Sequence, residues 1–379
     1  MRNQALDVLR AAAVILVFCY HSEGALLISR FGWTGVDLFF VLSGYLVSGL
    51  LFREYQASGK VEVGRFLIRR GCKIYPQFYL LLLVTFLWSI SRGGLAMRSL
   101  WAELFFYQSY VRGLWTHTWS LAVEEHFYLL LAGGIWLLVR RGGGDPFARL
   151  PAGILALAAG TLALRTGLWW LGPEITELRH VFPSHLRMDS FLGGVLVAYY
   201  QTFRPEQLAS WVRRAAAWLP QASMLLLCPV TFLKREDPFM VTVGFTMVAW
   251  AFVLLLVSAL YPLKRSSGEP GWGLRAMSQL GRNSYGFYLW HGPVILVCDG
   301  ARIVLAARGT EVPLVATLVV SFALSYLAAV VTTQFLEAPS LRWRDRLFPP
   351  SVKTELPPPV VLGRRRATPA AVAGQSRVA

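Results

Sequence analysis

The sequence predicts an all-α polytopic membrane protein of about ten transmembrane helices with both termini cytoplasmic. Three observations carry that prediction. Of 379 residues, 55% are hydrophobic and only 15% are charged, against about a quarter charged in a soluble globular chain. Mean hydropathy is +0.49. The apolar residues are gathered into runs of roughly 20, the length that crosses a hydrocarbon core.

Ten such runs follow one another, at roughly 5–27, 34–52, 74–91, 119–139, 151–171, 186–202, 216–233, 239–262, 280–304 and 312–336. Lys and Arg favour the cytoplasmic ends of spans. With the N-terminus inside, the first inside loop holds Arg53, Lys60, Arg65, Arg69, Arg70 and Lys73. Later inside segments hold Arg140, Arg141 and Arg149, then Arg204, Arg213 and Arg214, then Lys264, Arg265, Arg275 and Arg282. The outside loops are poorer: Arg179 sits beside Glu174 and Glu177, and Lys234 and Arg235 are cancelled by Glu236 and Asp237. No convincing small-x-small cleavage site follows the first run, so it reads as a retained span. Residues 1–340 form one transmembrane domain. Residues 341–379, rich in Pro and Arg, including Lys353 and the arginines at 364–366, read as a disordered basic cytoplasmic tail.

The net charge of +16 could suit nucleic acid or anionic lipid. The basic residues lie in short clusters between apolar runs and not along one face, so no nucleic-acid partner is expected and the bilayer is. Cys19, Cys72, Cys228 and Cys298 form no CxxC pair, and the histidines make no HExxH. Neither a disulfide framework nor a metal site is indicated.

Within this apolar frame, ionisable residues stand out, because a span that carries one usually turns it toward a cavity or a partner. Arg10 and His21 are eleven residues apart. On a helix that spacing returns to within about 20° of the same face and separates the two by roughly 16 Å along the axis. Arg10 then lies near the cytoplasmic side and His21 in the outer half. Other spans bring Asp37, then Trp119, Ser120, Glu124 and Glu125, then Arg187 and Asp189, then Ser284, Tyr285, Tyr288 and His291 to similar depth. Convergence of this kind calls for one polar chamber. Singly, these residues also suit interface belts, helix packing or helix-to-helix ion pairs.

The residues just named carry a resemblance. "LDVLRAAAVILVFCYH" with its Arg–x10–His spacing, "GVDLFFVLSGYL" at 35–46, "TWSLAVEEHFYLL" at 118–130, "RMDSFLGG" and "LGRNSYGFYLWH" together resemble the acyltransferase-3 family of integral membrane O-acyltransferases. "RFLIRRGCKIYPQFY" at 65–79 is similar to the family's basic RxxR region, although no strict RxxR is present. The resemblance implies transfer of an acyl group, acetyl by default, from acyl-CoA to a hydroxyl of a sugar, glycan or glycosylated small molecule. It also implies a bacterial cytoplasmic (inner) membrane location. The chain is expected to be a stand-alone module without a fused periplasmic domain.

On this reading His21 is the catalytic base or forms an acyl-His intermediate, since an acceptor hydroxyl must lose its proton as it attacks. Glu124, which falls on the W-S-L-x-x-E position, or another carboxylate such as Asp37 orients the imidazole. His291 is a second candidate base. Arg187, Tyr288 and Ser120 are candidates to stabilise an oxyanion. Arg10, Arg65, Arg69, Arg70 and Lys73 are the candidate acyl-CoA phosphate ligands, with positive-inside topology signals as their alternative role. The same polar residues would also suit a transporter or flippase for a glycolipid or small solute, although no internal repeat is evident.

Overall fold

A computed structural model describes residues 3–22, 27–94, 96–141, 144–172, 174–262 and 270–349. Lys264, Arg265, Lys353 and the arginines at 364–366 lie outside the described residues. Fourteen helices follow in order: α1 (Gln4–His21), α2 (Thr34–Ser58), α3 (Val63–Ser91), α4 (Met97–Leu104), α5 (Trp119–Arg140), α6 (Leu150–Trp170) and α7 (Met188–Phe203), then α8 (Pro205–Ala215), α9 (Leu219–Phe232), α10 (Phe245–Leu260), α11 (Trp272–Arg282), α12 (Ser284–Ala307), α13 (Leu314–Thr332) and α14 (Ala338–Leu347). No strand occurs among the described residues. The protein is an all-α polytopic membrane protein.

Eight of these helical segments are long and apolar enough to cross a bilayer, and nine if α8 and α9, bent by 77°, count as one broken span. The sixth predicted run corresponds to α7, which has only 16 residues. It is preceded by a separate 3-10 turn, Ser184–Leu186, that delivers the buried Arg187 to the interior. The stretch 53–73, read as a loop, is largely helical. α2 runs on to Ser58 and stops at Gly59, whose φ of +67° suits a residue without Cβ. α3 then starts at Val63, eleven residues before the run that was expected. The predicted tail is likewise helical at its start. A π-turn at Thr333–Glu337 carries α13 into α14, which docks on α3 through Ser340 Oγ donating to the Cys72 carbonyl.

The architecture places α2 at the centre, with 78% of its apolar window enclosed, whereas α12, α6 and α13 sit at the rim with about a fifth enclosed. Their outward Leu and Val side chains, such as Leu155, Leu157, Val297 and Val319, suit lipid. α2 and α7 are locked together by polar and aromatic pairs. Arg187 donates to Asp37 at 2.6 Å, Ser190 Oγ donates to the same carboxylate oxygen at 3.0 Å, and Phe40 stacks on Phe191 at 4.4 Å. A second buried pair, Arg165 with Asp189 at 2.6 Å, ties α6 to α7. Buried charges of this kind persist only when paired and hydrogen-bonded.

Candidate active site

Helical periodicity on α3 decides which basic residues reach the interior. Arg70, Lys73 and Ile74 share one face and line a cavity of about 100 Å³, together with Arg10 of α1, Ser43 of α2, Ser120, Glu124 and Tyr128 of α5, and Arg282 beside α12. Four cations thus meet in one place. Arg10 is also within 3.7 Å of Asp7. Arg70 lies 5.7 Å over the Tyr128 ring, and Ser43 Oγ donates to Glu124.

A second cavity, of about 40 Å³, is lined by His21, Tyr20 and Val17 of α1, Trp33, Thr116, His117, Trp119, Glu177, Arg187, Arg235 and Tyr288. Three imidazoles converge here, with ring centroids 5.0 Å apart for His21 and His291, 4.8 Å for His117 and His291, and 6.2 Å for His21 and His117. Their protonation follows from their partners. His21 Nδ1 lies 2.9 Å from the Val17 carbonyl. A carbonyl only accepts, so Nδ1 carries a hydrogen, and in the neutral ring Nε2 then holds the lone pair. His291 Nδ1 likewise donates to the Tyr288 carbonyl, leaving His291 Nε2 as an acceptor 3.3 Å from His21 Nδ1. His21 therefore shares one N–H between two acceptors, and its Nε2 is the nitrogen left for the cavity.

The loop that supplies His117 is pinned by Glu103 on α4, whose Oε1 accepts from the Trp115 N–H at 3.2 Å and from Thr118 Oγ at 2.7 Å. Burial pushes the Glu103 carboxyl up to about 7. His117 Nε2 donates to the Leu289 carbonyl at 3.2 Å, with the ring against Gly292. Across the cavity Arg235 donates to Glu177 and stands 5.3 Å over the Tyr20 ring.

The structure redistributes the residues singled out from sequence. His21 and His291 come together. Arg10, Arg70 and Lys73 line the cation-bearing cavity, but Arg65 pairs with Glu62 at 3.1 Å and Arg69 pairs with Asp345 of α14 at 3.0 Å. Both are turned away, because Arg69 sits about 100° and Arg65 about 140° round the helix from Arg70. Asp37 is consumed by Arg187 and Ser190, which makes it a brace and not a group facing His21. Glu124 belongs to the cavity of Arg70; the group hydrogen-bonded to His21 is His291. The single chamber expected from sequence is two cavities sharing a wall. His117, Glu103, Glu177 and Arg235 went unnoticed as site residues. Only folding of the loops between spans reveals them, since none sits in a polar-in-apolar run.

A bundle of apolar helices that encloses a histidine cluster beside a cation-lined cavity defines an integral membrane protein with a buried polar interior. The acyltransferase domain model matches residues 3–333, and the chain belongs to this acyltransferase-3 family. It is 25% identical over 361 residues to the peptidoglycan O-acetyltransferase OatA of Listeria monocytogenes, covering 88% of this chain and 55% of that protein. It is 28% identical over 319 residues to the putative peptidoglycan O-acetyltransferase YrhL of Bacillus subtilis, covering 77% and 48%. It is 26% identical over 357 residues to the O-acetyltransferase OatA of Staphylococcus aureus, covering 88% and 56%. The chain spans about half the length of these curated relatives. No solved structure matches.

Proposed function

We propose that the protein is a membrane O-acyltransferase that moves an acetyl group from acetyl-CoA to a carbohydrate hydroxyl, at a bacterial cytoplasmic membrane with both chain ends inside. The observation that carries this reading is the placement of His21: its Nδ1 is tethered to the Val17 carbonyl and the residue lines a cavity. The cluster of Arg10, Arg70, Lys73 and Arg282 supports a donor that carries several phosphates, because guanidinium groups hold phosphate oxygens bidentately and Lys adds point charge. In this orientation the Arg10 cavity lies toward the cytoplasmic side and the His21 cavity toward the outer side. The names of the relatives point to a glycan such as peptidoglycan as acceptor.

In the proposed step the acceptor oxygen attacks the thioester carbonyl carbon while its proton passes to His21 Nε2. The C–S bond breaks, the thiolate leaves, and the proton on His21 then neutralises it. The products are an ester and free CoA. As His21 becomes cationic, its Nδ1–H strengthens toward the Val17 carbonyl and His291 Nε2, the service that a carboxylate provides in a Ser-His-Asp triad. Arg187 stands in the same cavity, where developing negative charge on the carbonyl oxygen needs donors.

The test is reconstitution of the full chain in lipid nanodiscs with radiolabelled acetyl-CoA and chitotetraose as the acceptor probe. Hydroxylamine-sensitive label on the oligosaccharide supports the reading. Absence of ester with wild-type protein, alongside movement of the sugar across a sealed vesicle, would replace it with transport.

A further inference from the structure

Two side chains, Val36 and Tyr288, line both cavities and so form the wall between them. We propose that these two residues are the aperture through which the acyl group reaches His21, and that they restrict transfer to two-carbon acyl groups. The inference rests on the acyl-transfer reading above and names the residues that set donor specificity.

Both sides of the aperture are rigid. Tyr288 is 6% exposed. Its hydroxyl donates to the His117 carbonyl and accepts from Ser120 Oγ, and its ring meets Phe39 edge-on at 6.0 Å. It cannot swing aside without stranding two buried polar groups. Val36 is β-branched and on a helix, where one χ1 rotamer dominates. Its backbone has no room to withdraw. A Cβ built on the neighbouring Gly35 would stand 2.3 Å from the Ala13 carbonyl oxygen and 3.0 Å from Leu16 Cβ, so α2 already touches α1 at this level.

Beyond the wall the space is small, about 40 Å³ on the His21 side against about 100 Å³ on the Arg10 side. A methyl group can follow its carbonyl carbon to His21, while each further methylene must displace packed atoms. A pocket of this kind discriminates by about 10-fold or more per added methylene.

The experiment uses the full chain in nanodiscs with radiolabelled acetyl-, propionyl- and butyryl-CoA in turn and chitotetraose as acceptor. Val36→Ala should lower the acetyl-to-butyryl rate ratio at least tenfold. Val36→Ile should raise the acetyl-to-propionyl ratio and slow acetyl transfer, with the dissociation constant for CoA unchanged. The isoleucine variant decides the matter alone if the alanine variant is inactive. Ratios unaltered in both, with wild type still acetylating, would overturn the aperture and leave acyl transfer standing. No ester from any donor with wild type would overturn the underlying reading, and the aperture with it.

Discussion

His21 Nδ1 and His291 Nε2 lie 3.3 Å apart, with the hydrogen on His21 and the lone pair on His291. The polarity of that contact is fixed by the two carbonyls, of Val17 and Tyr288, that the rings also face. His291 thus takes the place in which a carboxylate was expected. His21→Ala should abolish ester formation, and His291→Ala should slow it on the order of 10- to 100-fold. Both variants should insert to wild-type abundance. The check is the single-turnover rate with labelled acetyl-CoA, normalised to protein in the nanodisc; full activity in His21→Ala would remove it from the chemistry.

Arg70 and Arg65 offer a contrast that composition cannot explain. Both are basic and both lie at the same end of α3, yet Arg70 lines the Arg10 cavity while Arg65 is paired with Glu62. Arg70→Gln should raise the KM for acetyl-CoA by roughly 10-fold or more, the loss of one charge-assisted contact of about 1.5–3 kcal/mol. Arg65→Gln should leave that KM within twofold. Equal effects in steady-state titrations would return Arg70 to a topology signal.

Much of this arrangement was legible in the sequence, for reasons that differ by residue. Arg10 and His21 could be placed on one face because eleven residues is close to three helical turns. The spans announced themselves by length and hydropathy. The extension of α3 back to Val63 was obscured because charged residues along its first three turns look like a loop when only hydropathy is read. The division into two cavities was not legible. It depends on Val36 and Tyr288, whose types are ordinary for a span. His117 was hidden because its position is set by Glu103, twelve residues from the Trp115 amide that it holds. Loop geometry of that kind has no periodicity to read.

Asp37 and Arg187 make a buried pair at 2.6 Å, with neither side chain more than 1% exposed. Removing one partner leaves an uncompensated charge, at a cost of about 3–5 kcal/mol. Asp37→Ala should therefore lower the thermal midpoint in detergent sharply. The double variant Asp37→Leu with Arg187→Met should recover much of the loss, because shape-matched apolar groups need no compensation. Recovery absent from the double variant, with expression intact, would argue against the brace.

Glu103 supplies a pH dependence with a definite sign. Burial raises its carboxyl from the ordinary range to about 7 in the folded protein, so the folded state holds the proton more tightly than the unfolded chain. Its contribution to stability is complete below about pH 4.5 and is lost as pH rises through about 7. Glu103→Gln keeps an acceptor for the Trp115 N–H and removes the charge, so the fall in thermal midpoint between pH 5 and pH 8 should shrink. An identical fall in the variant would assign the slope to other groups.

Gly292 follows His291 on α12 and makes room for His117. A Cβ at this position would stand 2.7 Å from His117 Cε1 and 2.8 Å from Nδ1, and the ring, 5% exposed and tied to the Leu289 carbonyl, has little space to retreat. Gly292→Ala should lower turnover by roughly 10-fold, a displacement effect within the histidine cluster. The KM for acetyl-CoA should stay unchanged, since Arg10, Arg70, Lys73 and Arg282, the cations proposed to hold the donor, line the other cavity. In a His117→Ala background the ring is gone and the added methyl has space, so Gly292→Ala should cost little more than His117→Ala alone. The double-mutant cycle measures this coupling directly. Strictly additive losses would mean that Gly292 acts on α12 itself and not through His117.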